Sequence, residues 1–247
     1  MLVAENISKR FGDELVLSDV NMTLKPGDLV GLIGVSGAGK TVYARCLIGL
    51  EQCDGGAIRV DDTLINQSLS VDDIQWQSIR RKVGMVAQNR AVPPYRRVGE
   101  LILEGPVEVL GMRADEARTR AATWIERFGL KDHLSKFPGE ISGGQLARAC
   151  LVRALAMSPR YLLCDEISSP LDPNTAATVA NSLLEIAQSG VGVLMISHQL
   201  EFLRRHASRI DFLDRGVIAV SGSPEEMLVR PTNETLQRFI AGVEVGR

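Results

Sequence analysis

Aromatic residues are scarce in this chain of 247 residues: Trp, Tyr and Phe together make 4% of it. Its core must therefore be packed by aliphatic side chains, and 45% hydrophobic residues are enough to build a substantial one. A surplus of one charge is also missing, since 28 Lys+Arg face 30 Asp+Glu for a net charge of -2. Nucleic-acid-binding surfaces usually carry a strong basic bias, so no nucleic acid is expected as a partner. The cysteines Cys46, Cys53, Cys150 and Cys164 form no CxxC pair and no metal-ligand spacing with His133, His198 or His206. They read as buried, reduced thiols of a cytosolic protein. No apolar run approaches the ~18 residues of a bilayer-crossing helix, and residues 1–5 lack the charged-then-apolar order of a signal peptide. The chain is expected to be soluble by itself, with any membrane part on another polypeptide. Internal repeats, low-complexity tracts and flexible linkers are absent too. The length suits one large domain, or a core with an inserted lobe.

What is present is an alternation of strands and helices. Residues 15–24 partly alternate, and 28–34 form a short apolar run ending in glycine, as in a strand buried on both faces. Tyr43, Cys46, Leu47 and Leu50 recur at helical spacing after it. A turn at Asp54-Gly55-Gly56 leads to a strand over 57–60, a helix over 71–82 and a strand over 83–87. From about 98 to 156 the pattern is helical, most clearly over 114–128 and 145–156. Alternation then resumes, with strands over 161–164, 191–196 and 210–213 and helices over 174–188 and 200–206. The expected architecture is an α/β core interrupted by a helical lobe.

Within that pattern, Gly34-Val35-Ser36-Gly37-Ala38-Gly39-Lys40-Thr41 matches G-x-x-x-x-G-K-[ST] between a strand and a helix, the context the motif requires. Glycines there let backbone N–H groups form a concave nest and approach phosphate oxygens without a Cβ in the way. The helix beginning near Lys40 aims its positive dipole end at the same point. Lys40 supplies a cation for the β- and γ-phosphates and Thr41 a hydroxyl for Mg²⁺. The apolar strand Tyr161-Leu162-Leu163-Cys164 ends in Asp165-Glu166. Beside a phosphate loop, Asp165 is suited to hold Mg²⁺ and Glu166 to polarise an attacking water as general base. His198 follows a second apolar strand; a lone histidine there is usually a packing or capping residue, but beside a phosphate loop it could reach the γ-phosphate and orient the water. Ile141-Ser142-Gly143-Gly144-Gln145 forms a second glycine turn opening a helix, which by itself is a turn with an N-cap.

Taken together and in this order, these residues closely resemble the ATP-binding subunits of ATP-binding cassette (ABC) transporters. The resemblance covers nearly the whole chain. Residues 34–41 (Gly34, Ser36, Gly37, Ala38, Gly39, Lys40 and Thr41 among them) look like the Walker A loop, and 162–166 like the Walker B strand. Ser142, Gly143, Gly144 and Gln145 look like the signature motif, usually written LSGGQ. Phe11 stands where the family has an adenine-stacking aromatic. Gln88 looks like the Q-loop glutamine, Ser169-Pro170-Leu171-Asp172 like the D-loop, and His198 like the switch histidine.

The resemblance implies a P-loop NTPase (RecA-like) core over 1–88 and 157–247, with N-terminal antiparallel β strands and an inserted α-helical subdomain over 89–156. It implies ATP and Mg²⁺ as ligands, with Glu166, His198 and Gln88 in catalysis and Thr41, Gln88 and Asp165 on the metal. The Walker A loop with Val42, Phe11, the signature residues and Asp172 would surround the nucleotide. The expected partners are a second ATPase subunit in a head-to-tail dimer, transmembrane permease subunits and an extracytoplasmic solute-binding protein. The expected location is peripheral, on the cytoplasmic face of the inner membrane. Val98-Gly99-Glu100-Leu101, the Pro138-Gly139-Glu140 lead-in and the tail from Gly222 through Pro231 to Phe239 resemble polar-amino-acid and methionine importers. A non-transport member of the family, such as a division-linked ATPase, is the competing expectation.

Some positions depart from the family pattern. Val42 stands where a second hydroxyl is common, which removes a hydrogen bond of about 1 kcal/mol. Ile141 replaces leucine, Leu146-Ala147 replace two polar residues, and Ile167 replaces a proline. Pro170 stands where alanine is common, and Gln199 replaces an acid after the histidine. None removes a catalytic group, so an active ATPase is expected.

Overall fold

The computed structural model describes residues 1–66, 73–90, 92–168 and 171–245. Positions 71 and 72 of the expected helix, and Ser169 and Pro170 of the expected D-loop, lie outside the described residues. Two sheets organise the rest. The first is antiparallel and four-stranded, in the order β2-β1-β4-β5, from β1 (Leu2–Phe11), β2 (Glu14–Leu24), β4 (Gly55–Val60) and β5 (Thr63–Asn66). The second has six strands in the order β10-β9-β3-β8-β7-β6. Its members are β3 (Leu29–Ile33), β6 (Val83–Val86), β7 (Tyr161–Asp165), β8 (Gly192–Ile196), β9 (Arg209–Asp214) and β10 (Val217–Gly222). Every pairing in this sheet is parallel except that of β10 with β9.

β3, β7 and β8 are buried along their whole length, which is why they read as continuous apolar runs. Their side chains alternate between two cores. Leu29 and Ile33 face the helices on one side, together with Leu162, Cys164, Val193 and Met195. Val30 and Leu32 face the antiparallel sheet and α1 (Lys40–Leu47) on the other, together with Tyr161, Leu163, Leu194 and Ile196.

Between β6 and β7 the described residues are helical or irregular. α3 (Val98–Glu104) runs into a π-helical turn (Gly105–Val109) in which Pro106 has no N–H to offer. α4 (Ala114–Arg127) and α5 (Gly143–Leu155) follow, with short 3₁₀ turns between them. Glu104 joins Arg96 at 3.0 Å and Arg153 at 2.7 Å, tying α3 to α5. After β7 come α6 (Pro173–Gln188), α7 (Leu200–His206) and α8 (Glu234–Val245); α2 (Asp73–Lys82) precedes β6. β5, β10 and α8 were not anticipated from sequence, and α1 stops at Leu47, earlier than the spacing of Leu50 suggested. Cys46, Cys53 and Cys164 are buried free thiols, whereas Cys150 is only half-buried.

β3, β8, β7 and β6 are neighbours and point the same way, so their carboxyl ends share one edge of the sheet. The phosphate loop, His198, Asp165-Glu166 and Gln88 each follow directly from one of those ends. Crevices at such ends are where open α/β sheets bind ligands.

Candidate active site

The loop leaving β3 is held by its own lysine. Lys40 Nζ donates to the carbonyls of Gly34 at 2.8 Å and Val35 at 3.0 Å. Burial pushes the Lys40 ammonium below its ordinary range, against the opposing pull of Glu166 and Asp165. At Gly34 a Cβ would sit 2.2 Å from the Leu213 carbonyl oxygen, so the loop can leave the sheet here only through glycine. Gly39 caps α1 in the left-handed region, with φ of 101°. Val16 and Leu17 of β2 press on the same residue, which brings the β1–β2 hairpin against the loop.

Asp165 is 2% exposed at the end of β7. Burial raises its pKa, while the hydroxyl of Thr41 and the cations Arg45 and Lys40 pull it down. Its Oδ1 is buried and has no hydrogen-bond partner. An orphaned carboxylate oxygen beside a threonine hydroxyl suits a hard cation that takes one or two protein oxygens and completes its shell with phosphate and water. No cluster of three or more His, Cys, Asp or Glu able to hold a metal occurs among the described residues. Any Mg²⁺ here would depend on the nucleotide for the rest of its ligands.

Glu166 adopts φ of 46°, a left-handed conformation unusual for a side chain of this size. Its N–H donates to the Ile196 carbonyl at 3.0 Å, locking the turn to the end of β8. The carboxylate is gripped on both sides. Gln88 Nε2 donates to Oε2 at 3.1 Å, and His198 Nε2 lies 3.2 Å from Oε1. Residues that are 78 and 32 positions from Glu166 in sequence thus meet on one carboxylate. A cleft of about 940 Å³ opens beside them, lined by Glu166, Ser168, His198 and Phe202.

The signature residues lie elsewhere. Ser142 caps α5 in a reciprocal capping box: Gln145 N–H donates to Ser142 Oγ at 3.2 Å, and Ser142 N–H donates to Gln145 Oε1 at 2.8 Å. Gln145 Nε2 also lies 3.1 Å from His133 Nε2. Among the described residues, no hydrogen bond joins this group to the phosphate loop. Asp172 caps α6, accepting from Thr175 N–H at 3.1 Å. Phe11 is exposed at the end of β1, with Lys9 Nζ 4.8 Å from its ring centroid. Val42 packs against the core beneath the antiparallel sheet.

The ABC transporter family profile matches residues 17–169. The chain belongs to the ABC transporter family. The L-cystine import ATP-binding protein of Bacillus subtilis is 35% identical to it over 240 residues, covering 97% of each chain. The histidine transport ATP-binding protein of Pseudomonas aeruginosa is 35% identical and covers 98% of both. A solved dimeric ATP-binding cassette in a post-hydrolysis state, bound to ADP and Pi, superimposes with a TM-score of 0.78 at 27% identity. That likeness covers 91% of this chain and 99% of that one. This ABC transporter chain is an ATP-binding ATPase, and no helix among its described residues is long and apolar enough to cross a membrane.

In this ABC ATPase two further side chains stand close to Glu166 and its partners, and neither was among the site candidates read from the sequence. Phe239 of α8 is 8% exposed, with its ring centroid 6.2 Å from that of His198 and 5.5 Å from that of Phe212. Arg90 sends its guanidinium between the start of α5 and the turn after Glu166. Neither had a local signal: Phe239 lies at the far end of the chain, and Arg90 reads as an ordinary loop cation.

Proposed function

We propose that this ATPase powers an amino-acid importer and that hydrolysis is carried by Glu166. The curated relatives include ATP-binding proteins for L-cystine import and for glutamine, histidine and arginine transport, each matching almost the full chain. The observation that supports the catalytic reading most is the Glu166 carboxylate held between Gln88 and His198 at the strand end next to Asp165.

The division of labour follows from position. Backbone N–H groups of the 34–41 loop and the start of α1 receive the phosphates, and Lys40 turns from its two carbonyls to the β- and γ-oxygens. Thr41 and Asp165 would hold Mg²⁺, which would supply positive charge to offset the negative charge that develops on the transferring phosphoryl group. Gln88, whose amide rests on Glu166, would add an oxygen to that metal's ligands and orient the attacking water. Glu166 takes a proton from that water as its oxygen bonds to the γ-phosphorus and the bond to the β-phosphate bridging oxygen breaks. His198 holds Glu166 and the γ-phosphate in register. Phe11 offers an exposed face for the adenine.

Ser142 and its turn make no hydrogen bond to the chain's own loop among the described residues; they complete the site of a second copy in a head-to-tail dimer, a reading supported by the dimeric cassettes. Residues 89–156 act as a lobe that transmits this closure to a permease at the cytoplasmic face of the membrane, where the ATPase sits peripherally. An extracytoplasmic solute-binding protein supplies the amino acid.

The test is ATP hydrolysis by the wild type and by Glu166→Gln, with both sized by light scattering in Mg-ATP. Turnover in the wild type, near-complete loss in the variant and an ATP-dependent dimer of the variant are expected. Equal turnover by two monomeric proteins would remove Glu166 from the reaction.

A further inference from the structure

Among the described residues, no carboxylate pairs with Arg90. Its guanidinium donates through Nη1 to the Gly143 carbonyl at 3.2 Å and through Nη2 to the Ile167 carbonyl. Its Nε is buried with no hydrogen-bond partner. Burial lowers the pKa of the group. Holding a half-buried guanidinium on neutral carbonyls alone is costly compared with a neutral side chain of similar size. The cost has a structural counterpart in what the two carbonyls belong to. Gly143 is the first residue of α5, directly after the cap Ser142, and Ile167 directly follows Glu166 in the turn held at positive φ. Arg90 itself lies in the same loop as Gln88, whose amide is on the Glu166 carboxylate. One planar fork therefore connects the start of the signature helix, the loop of Gln88 and the turn that aims Glu166.

We infer that Arg90 is a positioning residue that locks the orientation of α5 to the setting of Glu166, so that docking of Ser142 on the neighbouring subunit's nucleotide and placement of the base occur together. The inference rests on the reading of Glu166 and the signature turn given above. A guanidinium can bridge two acceptors that diverge from its plane, whereas an ammonium is a point donor on a flexible stem. Arg90→Lys thus keeps the charge and one contact but breaks the bridge.

The decisive experiment places Arg90→Lys in the Glu166→Gln background and measures the ATP concentration giving half-maximal dimer by light scattering. ADP binding to each single chain is measured in parallel. The bridge predicts a rise of five-fold or more in the ATP concentration required, with ADP affinity unchanged within two-fold, because ADP binding to one chain does not involve α5. In the otherwise wild-type chain, Arg90→Lys is expected to lower kcat at least five-fold at saturating ATP, while KM for ATP rises with the ATP concentration that the dimer requires. Dimerisation and kcat at parent levels would overturn the inference. So would an equal weakening of ADP binding, which would mark a general loss of structure. If Glu166→Gln alone forms no ATP-dependent dimer, the reading of the site fails instead, and kcat of Arg90→Lys against the wild type still decides whether the bridge matters.

Discussion

Gly144 belongs to the signature turn, yet the structure gives it a packing task that can be measured apart from nucleotide binding. It is buried in the first turn of α5, facing α6. A Cβ at this position would lie 2.2 Å from Cγ2 of Thr175 and 3.7 Å from its Cβ. Carbon atoms in ordinary contact sit about 3.5–4.0 Å apart, so the methyl group of Thr175 must move or the two helices must separate. Overpacking of this kind costs about 1–3 kcal/mol. Against it stands a gain of up to about 1 kcal/mol from replacing helical glycine by alanine. The expected balance for Gly144→Ala is a loss of about 1 kcal/mol, or a fall in Tm of about 2–4 °C for a chain of this size. Thr175→Ser removes Cγ2 and keeps the hydroxyl. In the double variant the overlap is gone, the helix gain remains, and stability is expected to return to the wild-type value or above it. Equilibrium denaturation of the four proteins forms a double-mutant cycle with an expected coupling of at least about 1 kcal/mol. Strictly additive effects, or a Gly144→Ala protein as stable as the wild type, would refute the packing account.

Two further outcomes follow from contacts outside the motifs. Phe239→Ala removes a buried ring from between Phe212 and His198, and is expected to cost about 3–5 kcal/mol of stability. It should also lower kcat at temperatures where the protein remains folded, because His198 loses the wall that aims it at Glu166; full turnover there would show that the ring only fills space. Asp61, with φ of 53°, accepts from the Met1 amino group at 2.8 Å, Arg160 at 3.0 Å and the Tyr161 hydroxyl at 3.0 Å. Burial works to raise its pKa, but the Met1 and Tyr161 hydrogen bonds, with Arg160, outweigh burial and hold the group below the usual carboxylate range. The folded state therefore binds this proton less tightly than the unfolded chain. Its contribution is complete above about pH 4, the ordinary carboxylate value, and disappears as pH falls through the lower folded value. Asp61→Asn, which tolerates the same φ, should cost about 1–3 kcal/mol at pH 7 and less at about pH 3, below the ordinary carboxylate value. Urea denaturation at the two pH values checks this, and a pH-independent difference would contradict it.

Much of the site was legible because its chemistry is local. The phosphate loop needs its glycines and Lys40 within one turn, and Asp165-Glu166 needs only an apolar strand before it. The parallel strands declared themselves as short apolar runs because both faces are covered. β10 and α8 did not: β10 alternates between half-buried and exposed positions, and α8, although amphipathic, follows a polar stretch. Sequence by itself determined which residues could handle phosphate and a metal, and that two such segments lie on different strands. Only the tertiary structure decided that Gln88 and His198 grip Glu166 from opposite sides, and that Arg90 and Phe239 stand behind them. It also decided that Gly144 is needed for the approach of two helices. The reason is that such relations depend on strand order and helix packing, which bring distant positions together by the burial of shared apolar faces and leave no periodicity or spacing along the chain.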